Sequence, residues 1–318
     1  MKMEDAVKAF SLKHPAAEKK LVAVSGGLDS VSLLQALVEA GHRRLVVCHL
    51  DHRLRGRASS GDARFVQQLA ARLDLPCEMA REDVAAEAAQ QRISVETAGR
   101  RARHRFFGLC ARRHRCRLVL LAHHGTDQAE TVLFNLFRGS AGLRGMKAES
   151  PMLVPGCRKP LILARPLLEV SRCEIEAWSE LRGVRYREDA SNASPDYVRN
   201  RIRHELLPAI SGIMGRDVLP ALCRAATLAS AESDWLDEQA AALASAEELD
   251  VKALRLQPEV MQRRIIHLWL KAQQFTGVTA AAVEAVRSLL PAGVASCAVN
   301  LPGNRFVRRS KAKLRALP

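Results

Sequence analysis

A Ser-Gly-Gly-x-Asp-Ser segment is the stretch whose residue types point most directly to chemistry. Its two glycines let an anion approach the backbone closely, and serine hydroxyls and free helix N–H groups can hydrogen-bond phosphate oxygens. The segment has neither the lysine and spacing of a G-x-x-x-x-G-K-[ST] loop nor the spacing of G-x-G-x-x-G. It predicts a phosphate-binding loop, and the alternative is an ordinary strand-to-helix turn with a Ser or Asp cap. The residues expected around the phosphates are Ser25, Gly26, Gly27, Leu28, Asp29 and Ser30.

Polar side chains also end two other apolar segments that predict buried strands. His49 and Asp51 lie at the end of the segment 44–50, and His123 follows the segment 118–122. In open α/β sheets the carboxyl ends of the strands face the ligand crevice. These three residues are therefore expected to line the same nucleotide site.

Two carboxylates lie one helical turn apart after the second of these segments. Asp127 and Glu130 fall in the first turn of a predicted helix, for which Thr126 is the expected N-cap. Such a pair can bind a cation or accept a proton. A metal site that also uses His123 and His124 is the alternative, but adjacent residues point to different faces of a helix, which disfavours it.

The order of apolar and amphipathic segments predicts two domains. Apolar strand patterns alternate with helical patterns up to about residue 208, which indicates an α/β domain with a parallel sheet. Later residues show mainly Ala-, Leu- and Glu-rich helical patterns. We expect a catalytic domain over residues 1–212 and a second, mostly helical domain over 213–318. The predicted strands are 21–24, 44–50, 75–80, 118–122 and 161–168.

The charge of the chain points to a polyanionic partner. Its 318 residues carry a formal net charge of +15, and nucleic acid fits this charge better than a membrane surface. No apolar run is long enough to span a membrane, and the first 20 residues have no signal-peptide core. A cytoplasmic protein with reduced thiols is expected, and none of its eight cysteines forms a C-x-x-C pair.

One predicted helix, 94–115, is strongly basic. Glu96 is its only acidic residue, so its arginines should repel one another unless an anion binds. A solvated helix face is the alternative. The basic residues of this helix are Arg100, Arg101, Arg103, Arg105, Arg112, Arg113 and Arg115.

Six blocks between residues 20 and 208 together resemble the tRNA(Ile)-lysidine synthetase family, which is part of the PP-loop ATP pyrophosphatase superfamily. The histidine-rich block and the last block are more specific than the loop alone. The blocks are SGGLDS at 25–30, HLDHR at 49–53, VETAGRRAR at 95–103, LAHHGTDQAET at 121–131, RPLL at 165–168, and REDASN with RNRIRHELLP at 187–208.

The resemblance implies a reaction on the wobble cytidine of tRNA(Ile) with a CAU anticodon. ATP and Mg²⁺ would be used to adenylate the cytidine, and free L-lysine would then replace AMP at C2. It also implies a PP-loop, adenine-nucleotide α-hydrolase-like fold for the first domain and a tRNA-binding role for the second.

The resemblance also implies roles for individual residues. Asp29 and Asp127 would hold Mg²⁺, and Arg103 would neutralise charge at the α-phosphate, so these three are the expected catalytic residues. Asp127 and Glu130 would bind the lysine ammonium group. The residues expected to hold the anticodon backbone are Arg201 and Arg203.

Three other functions are weighed against this one. A tRNA 2-thiolase would adenylate a base in the same way, but the absence of C-x-x-C argues against it. A non-catalytic RNA-binding protein would gain nothing from three carboxylates at the site. A GMP- or NAD-forming ligase does not account for the net positive charge. The sequence leaves a homodimer open.

Overall fold

The computed structural model describes residues 1–54, 57–139, 143–157, 159–187, 198–291 and 297–317. The chain divides into two compact units, Met1–Ala226 and Thr227–Pro318. Residues 188–197, which belong to the last sequence block, lie outside the described residues.

The first unit is built on a sheet of six strands in the order β3-β2-β1-β4-β6-β5. All neighbouring pairs are parallel except β5 with β6, which is antiparallel. The sheet confirms the predicted α/β fold, to which it adds the edge strand β5. The strands are β1 (Lys20–Ala23), β2 (Leu45–Asp51), β3 (Cys77–Arg81), β4 (Leu118–Leu120), β5 (Glu149–Met152) and β6 (Leu161–Ala164).

The connection order reverses between β1 and β4, and crevices at such switch points are where open α/β sheets bind ligands. The central strands are buried on both faces, which explains their continuous apolar sequence. The helices of this unit are α1 (Met3–Lys13), α2 (Leu28–Glu39), α3 (Arg57–Arg72), α4 (Val84–Gln91), α5 (Val95–His114), α6 (Gly125–Phe137), α7 (Arg172–Leu181), α8 (Val198–Arg201) and α9 (Leu207–Met214).

Helix starts show where local sequence sufficed and where it did not. Ser94 caps α5 and Ser171 caps α7 through their side-chain oxygens. The prediction that Thr126 caps α6 is wrong, because the cap is His124, whose Nδ1 accepts a hydrogen bond from the Thr126 N–H at 3.2 Å. Histidine is not among the preferred N-cap residues, so the propensity rule selected its hydroxyl neighbour.

The expectation that the arginines of α5 lack acidic partners is wrong for part of the helix. Arg105 pairs with Glu82 at 2.5 Å and with Glu87 at 2.6 Å. Arg113 contacts Glu78 of β3. These carboxylates lie outside α5, so helical spacing within one segment could not reveal them.

The second unit contains the end of α10 (Leu219–Ala244) and a sheet of four antiparallel strands in the order β7-β10-β9-β8. Trp269, Ile265, Ile266 and Leu314 are fully buried in its core. Its other elements are β7 (Leu249–Asp250), α11 (Val251–Arg255), α12 (Glu259–Ala272), α13 (Ala280–Arg287), β8 (Cys297–Leu301), β9 (Arg305–Ser310) and β10 (Lys313–Leu317).

The second unit contains more helix than strand, as predicted. The sequence shows strand patterns there only at 298–299 and 305–307, whereas the structure has a sheet of four strands. The basic residues from Arg305 to Arg315, which the sequence pattern predicts as a tail, belong instead to β9, β10 and the turn between them, and β10 pairs with both β9 and β7. Short strands rich in basic residues carry little hydrophobic signal, so their pairing is visible only in the folded chain.

Two general expectations can be compared with the structure. All eight cysteines are free thiols. Among the described residues no single helix is long and apolar enough to cross a membrane, although the pair Val198–Met214 and Leu219–Ala244, bent by 103°, would pass such a test together on length and composition.

Candidate active site

The Ser-Gly-Gly-x-Asp-Ser segment leaves β1 at the switch point and turns into α2. Gly26 has φ +98°, a conformation that favours glycine. Ser30 Oγ accepts a hydrogen bond from the Ser25 N–H at 3.1 Å and donates one to the Gly27 carbonyl at 3.0 Å. Gly27 is the N-cap of α2, and no side chain of the described residues caps this helix. The first N–H groups of the helix therefore remain available to an anion.

His49 stands beside this loop at the end of β2. Its Nδ1 lies 2.8 Å from the Val24 carbonyl oxygen, which can only accept, so Nδ1 carries the proton. Its Nε2 is therefore an acceptor, and it is buried without a partner in the described part of the chain. A buried unpaired acceptor fits a ligand N–H such as the amino group of a nucleotide base.

Asp51, at the end of β2, is hydrogen-bonded by donors of the chain itself. It accepts hydrogen bonds from the Arg53 N–H at 2.8 Å and from Arg81 Nε at 3.0 Å. Burial raises the pKa of Asp51, but these two donors outweigh it and hold the pKa below its usual value. Asp51 thus orders the turn after β2, and its contact with a nucleotide stays a prediction.

An acidic cluster faces the loop at the β1–β4 junction. His124 Nε2 lies 3.8 Å from Asp29 Oδ2 and 3.6 Å from Asp127 Oδ2. Because Nδ1 of this histidine accepts from the Thr126 N–H, Nε2 carries the proton and points it at both carboxylates. The fold thus brings together the two residues that sequence reasoning assigned to Mg²⁺.

Each of the two aspartates also has an arginine. Arg172 Nη1 lies 2.7 Å from both carboxylate oxygens of Asp29, and Arg203 Nη2 lies 2.5 Å from Asp127 Oδ1. Burial raises the pKa of Asp29, a shift that His124 and Arg172 oppose. For Asp127, burial is outweighed by His124, His123 and Arg203, and the pKa is lowered.

Glu130 shares Arg203 with Asp127, because Arg203 Nε contacts its carboxylate. Burial raises the pKa of Glu130 to about 7, against the opposing charge of Arg203. Arg203 lies in a single π-helical turn, Ile202–Leu206, and such turns often occur at functional sites. A cation therefore already occupies the carboxylate pair that sequence reasoning assigned to the lysine ammonium group.

The remaining predicted residues vary in their surroundings. The pKa of His123 is lowered to about 4 by burial, so its ring is neutral, and its buried Nδ1 has no partner among the described residues. Arg103 is exposed and forms no ion pair with a described carboxylate. Arg201 is 64% exposed and pairs with Glu205 at 3.2 Å. Arg201 and Asp51 thus lie outside the acidic cluster, and each contacts other residues near it.

Sequence reasoning assigned no role to Arg172 or Gln128. A basic residue in the first turn of α7 opposes the helix dipole, and this was a usable signal for Arg172. Gln128 has no comparable signal: its amide accepts from the Met146 N–H at 2.6 Å and donates to the Met146 carbonyl at 2.9 Å. It holds the described end of a second glycine-containing segment, residues 138–146, where a Cβ at Gly145 would come within 2.6 Å of Gln128.

The residues present fit a nucleotide better than a histidine-ligated metal. The open glycine loop, the uncapped start of α2 and the unpaired His49 Nε2 are the groups that phosphates and a base require. Oxygen ligands such as Asp29 and Asp127 suit Mg²⁺. In the described ranges, no group of three or more His, Cys, Asp or Glu side chains could hold a metal by itself.

A strand, an SGGLDS loop and a helix at the switch point of a parallel sheet define a PP-loop domain, and residues 1–210 match the family described as PP-loop domain. Residues 249–315 match the TilS substrate binding domain. A solved U34-tRNA thiolase, NcsA from Methanococcus maripaludis, shares the fold at 13% identity with a TM-score of 0.54, over 70% of this chain and 76% of that one.

Curated relatives give the finer assignment. A tRNA(Ile)-lysidine synthase of Geobacter sulfurreducens is 38% identical over 96% of this chain and 66% of its own length. That of Solibacter usitatus is 44% identical over 67% of this chain and 46% of its own length. That of Thermosynechococcus vestitus is 32% identical over 92% of this chain and 85% of its own length. The chain belongs to the tRNA(Ile)-lysidine synthase family, and it spans less than two thirds of the first two relatives.

Proposed function

We propose that the chain is an ATP-dependent ligase that joins free L-lysine to C2 of the wobble cytidine in tRNA(Ile) with a CAU anticodon. The observation that carries the proposal is the Asp127–Glu130 pair beside the PP-loop, where buried carboxylates already bind a guanidinium. A phosphate loop by itself would serve many reactions. A cation site next to it fits an amine as the second substrate.

The first step forms a bond between cytidine O2 and the α-phosphorus of ATP, and pyrophosphate leaves. The N–H groups at the start of α2, with Ser25 and Ser30, would hold the departing pyrophosphate. Arg103 would neutralise charge at the α-phosphate. Asp29 and Asp127 would hold Mg²⁺, which supplies charge neutralisation when bound.

In the second step the lysine ε-nitrogen forms a bond to C2, and the C2–O2 bond breaks, so that AMP leaves with O2. The ammonium group must lose a proton before attack and the attached nitrogen must lose another afterwards. Glu130, whose pKa is about 7, can hold a proton at physiological pH and release it again. Asp127 stays ionised and would orient the ammonium group.

The proposal extends to the wider setting of the enzyme. The first domain, residues 1–212, would carry out catalysis, and residues 213–318 would bind tRNA; Arg201 and Arg203 would contact the anticodon backbone. The product pairs with A instead of G, which changes decoding from AUG to AUA and charging from Met to Ile. A cytoplasmic location and a homodimer are further parts of this proposal.

The test incubates the full chain with Mg-ATP, radiolabelled lysine and a CAU-anticodon transcript, beside a transcript with a changed wobble base. Label should enter only the first RNA and should resist mild alkali, which strips aminoacyl esters. Pyrophosphate release without label would leave the adenylation step and refute lysine as the second substrate. No ATP cleavage with either RNA would refute the ligase function.

A further inference from the structure

Arg165 follows β6 directly and belongs to the RPLL block, to which sequence reasoning assigned no role. The register pairs Leu120 of β4 with Ala164, and the Leu121 N–H donates to the Ala164 carbonyl at 2.9 Å. Arg165 therefore emerges at the carboxyl edge of the sheet, beside the segment that leads into His123. This is the edge on which the PP-loop lies.

The guanidinium of Arg165 is held in one orientation. Its Nη1 donates to the Lys147 carbonyl at 2.7 Å and to Ser150 Oγ at 3.1 Å. Its Nε is buried without a partner in the described part of the chain, and no described residue accepts a hydrogen bond from Nη2. The free Nε–Nη2 edge is the fork with which arginine binds phosphate through two parallel hydrogen bonds.

The charges around Arg165 are positive. None of the described carboxylates forms an ion pair with it. Burial lowers its pKa, and the nearby charge of Arg100 lowers it further. Arg165 and Arg103 in turn both oppose protonation of His123. A half-buried guanidinium among like charges is costly unless an anion accompanies it, because buried charges require partners.

We propose that Arg165 binds a phosphate group of a substrate through its Nε–Nη2 edge, at the carboxyl edge of the sheet beside the segment that leads into His123. This inference rests on the proposed function and adds one binding residue to it. The shared chemistry is a phosphate mono- or diester, and it comes either from ATP or from the RNA backbone next to the wobble nucleotide. The anchored Nη1 sets the direction of the fork, so binding needs no reordering of the side chain.

The experiment measures how tightly the full chain binds three ligands at equilibrium. They are ATP, adenosine, and, in the absence of ATP, a CAU anticodon stem-loop RNA. R165M should weaken either ATP or RNA by about tenfold or more, the usual effect of losing a charge-assisted bidentate contact. Loss for ATP with unchanged adenosine would identify the nucleotide phosphates. Loss for RNA, with a shallower salt dependence, would identify the RNA backbone.

R72M is the matched control, because Arg72 lies in the last turn of α3, at the opposite edge of the sheet. It removes the same charge and should change neither affinity. R165K should bind with intermediate affinity, since it keeps the charge and loses the fork. S150A keeps the guanidinium and loosens only its anchor, so its loss should be smaller than that of R165K.

Unchanged binding of both ATP and RNA by R165M would overturn the inference. Equal losses of affinity in S150A and R165K would also overturn the inference, since Arg165 would then act only by holding β5 in place. These two variants decide the matter if R165M does not fold. Failure of the wild-type chain to bind ATP is a separate result, which would instead refute the proposed function.

Discussion

The acidic cluster at the β1–β4 crevice and two residues that flank it satisfy their polar groups in opposite ways. In the cluster Asp29, Asp127 and Glu130 all contact arginine, through Arg172 or Arg203. On opposite flanks of the crevice, His49 after β2 and Arg165 after β6 have buried polar atoms without partners among the described residues. The difference follows from desolvation. The chain supplies its own cations to these carboxylates, whereas the two groups that we propose to bind phosphate or a base have no partner among the described residues.

The largest effect on turnover is expected at Asp127, in the acidic cluster. D127N keeps the size of the side chain and an oxygen to accept the His124 N–H, but loses the charge. Turnover to lysidine should fall by about 100-fold or more, the usual scale for losing a charged catalytic group. The assay is label incorporation at saturating ATP and lysine.

D217N is the matched control for that variant. Asp217 is an exposed aspartate whose Oδ1 accepts the Leu219 N–H at 2.9 Å, so it too orders a helix start. Its replacement should leave turnover unchanged. If D127N also retained near wild-type turnover, Asp127 would have no part in the mechanism.

Replacement of Arg203 should lower the free energy of unfolding, because Asp127 and Glu130 lose their cation. R203M leaves Asp127 and Glu130 buried together without their cation, and the free energy of unfolding should drop by about 2–3 kcal/mol at pH 8. Burial keeps the pKa of Glu130 above its unfolded value, so its ionisation costs stability as pH rises from about 4.5 through about 7. Urea unfolding at pH 5 and pH 8 should therefore give the smaller loss at pH 5, and an equal loss at both would contradict the pairing.

The pH dependence of lysine use tests Glu130 directly. Below its pKa of about 7 the carboxyl is neutral and attracts an ammonium group less, so the KM for lysine should fall by about three- to tenfold between pH 6 and pH 8. E130Q should raise the KM and remove this trend. A wild-type KM that stays constant over that range would separate Glu130 from lysine binding.

The smallest effect is expected at Arg201, which lies outside the acidic cluster. Its pair with Glu205 is exposed and screened by solvent, so R201M should leave the unfolding free energy nearly unchanged. If Arg201 contacts the anticodon backbone, R201M should reduce by about one the slope of the logarithm of the RNA-binding constant against the logarithm of salt concentration. E205Q breaks the same ion pair and keeps the arginine, so an identical RNA effect in both variants would argue against a phosphate contact.

Sequence reasoning succeeded where a local pattern forces a structure. Continuous apolar runs produced the buried parallel strands, and the basic helix predicted over 94–115 is α5, which Ser94 caps. It failed at Thr126, because histidine is not a preferred N-cap residue, and at β10, because strand pairing depends on partners outside the segment. It also missed the acidic partners of Arg105 and Arg113 for the same reason.

The sequence by itself determined the PP-loop, its place between a strand and a helix, and the class of residues at the strand ends. Chemical type and short-range spacing suffice for these features, because a glycine turn and a helix N-terminus are local structures. Only the tertiary structure decided which charges meet. Arg172 reaches Asp29 from 143 residues away, Arg203 reaches Asp127 from 76 residues away, and Arg165 has no acid beside it among the described residues. Those outcomes depend on strand order and helix packing, which bring together groups that the chain keeps far apart.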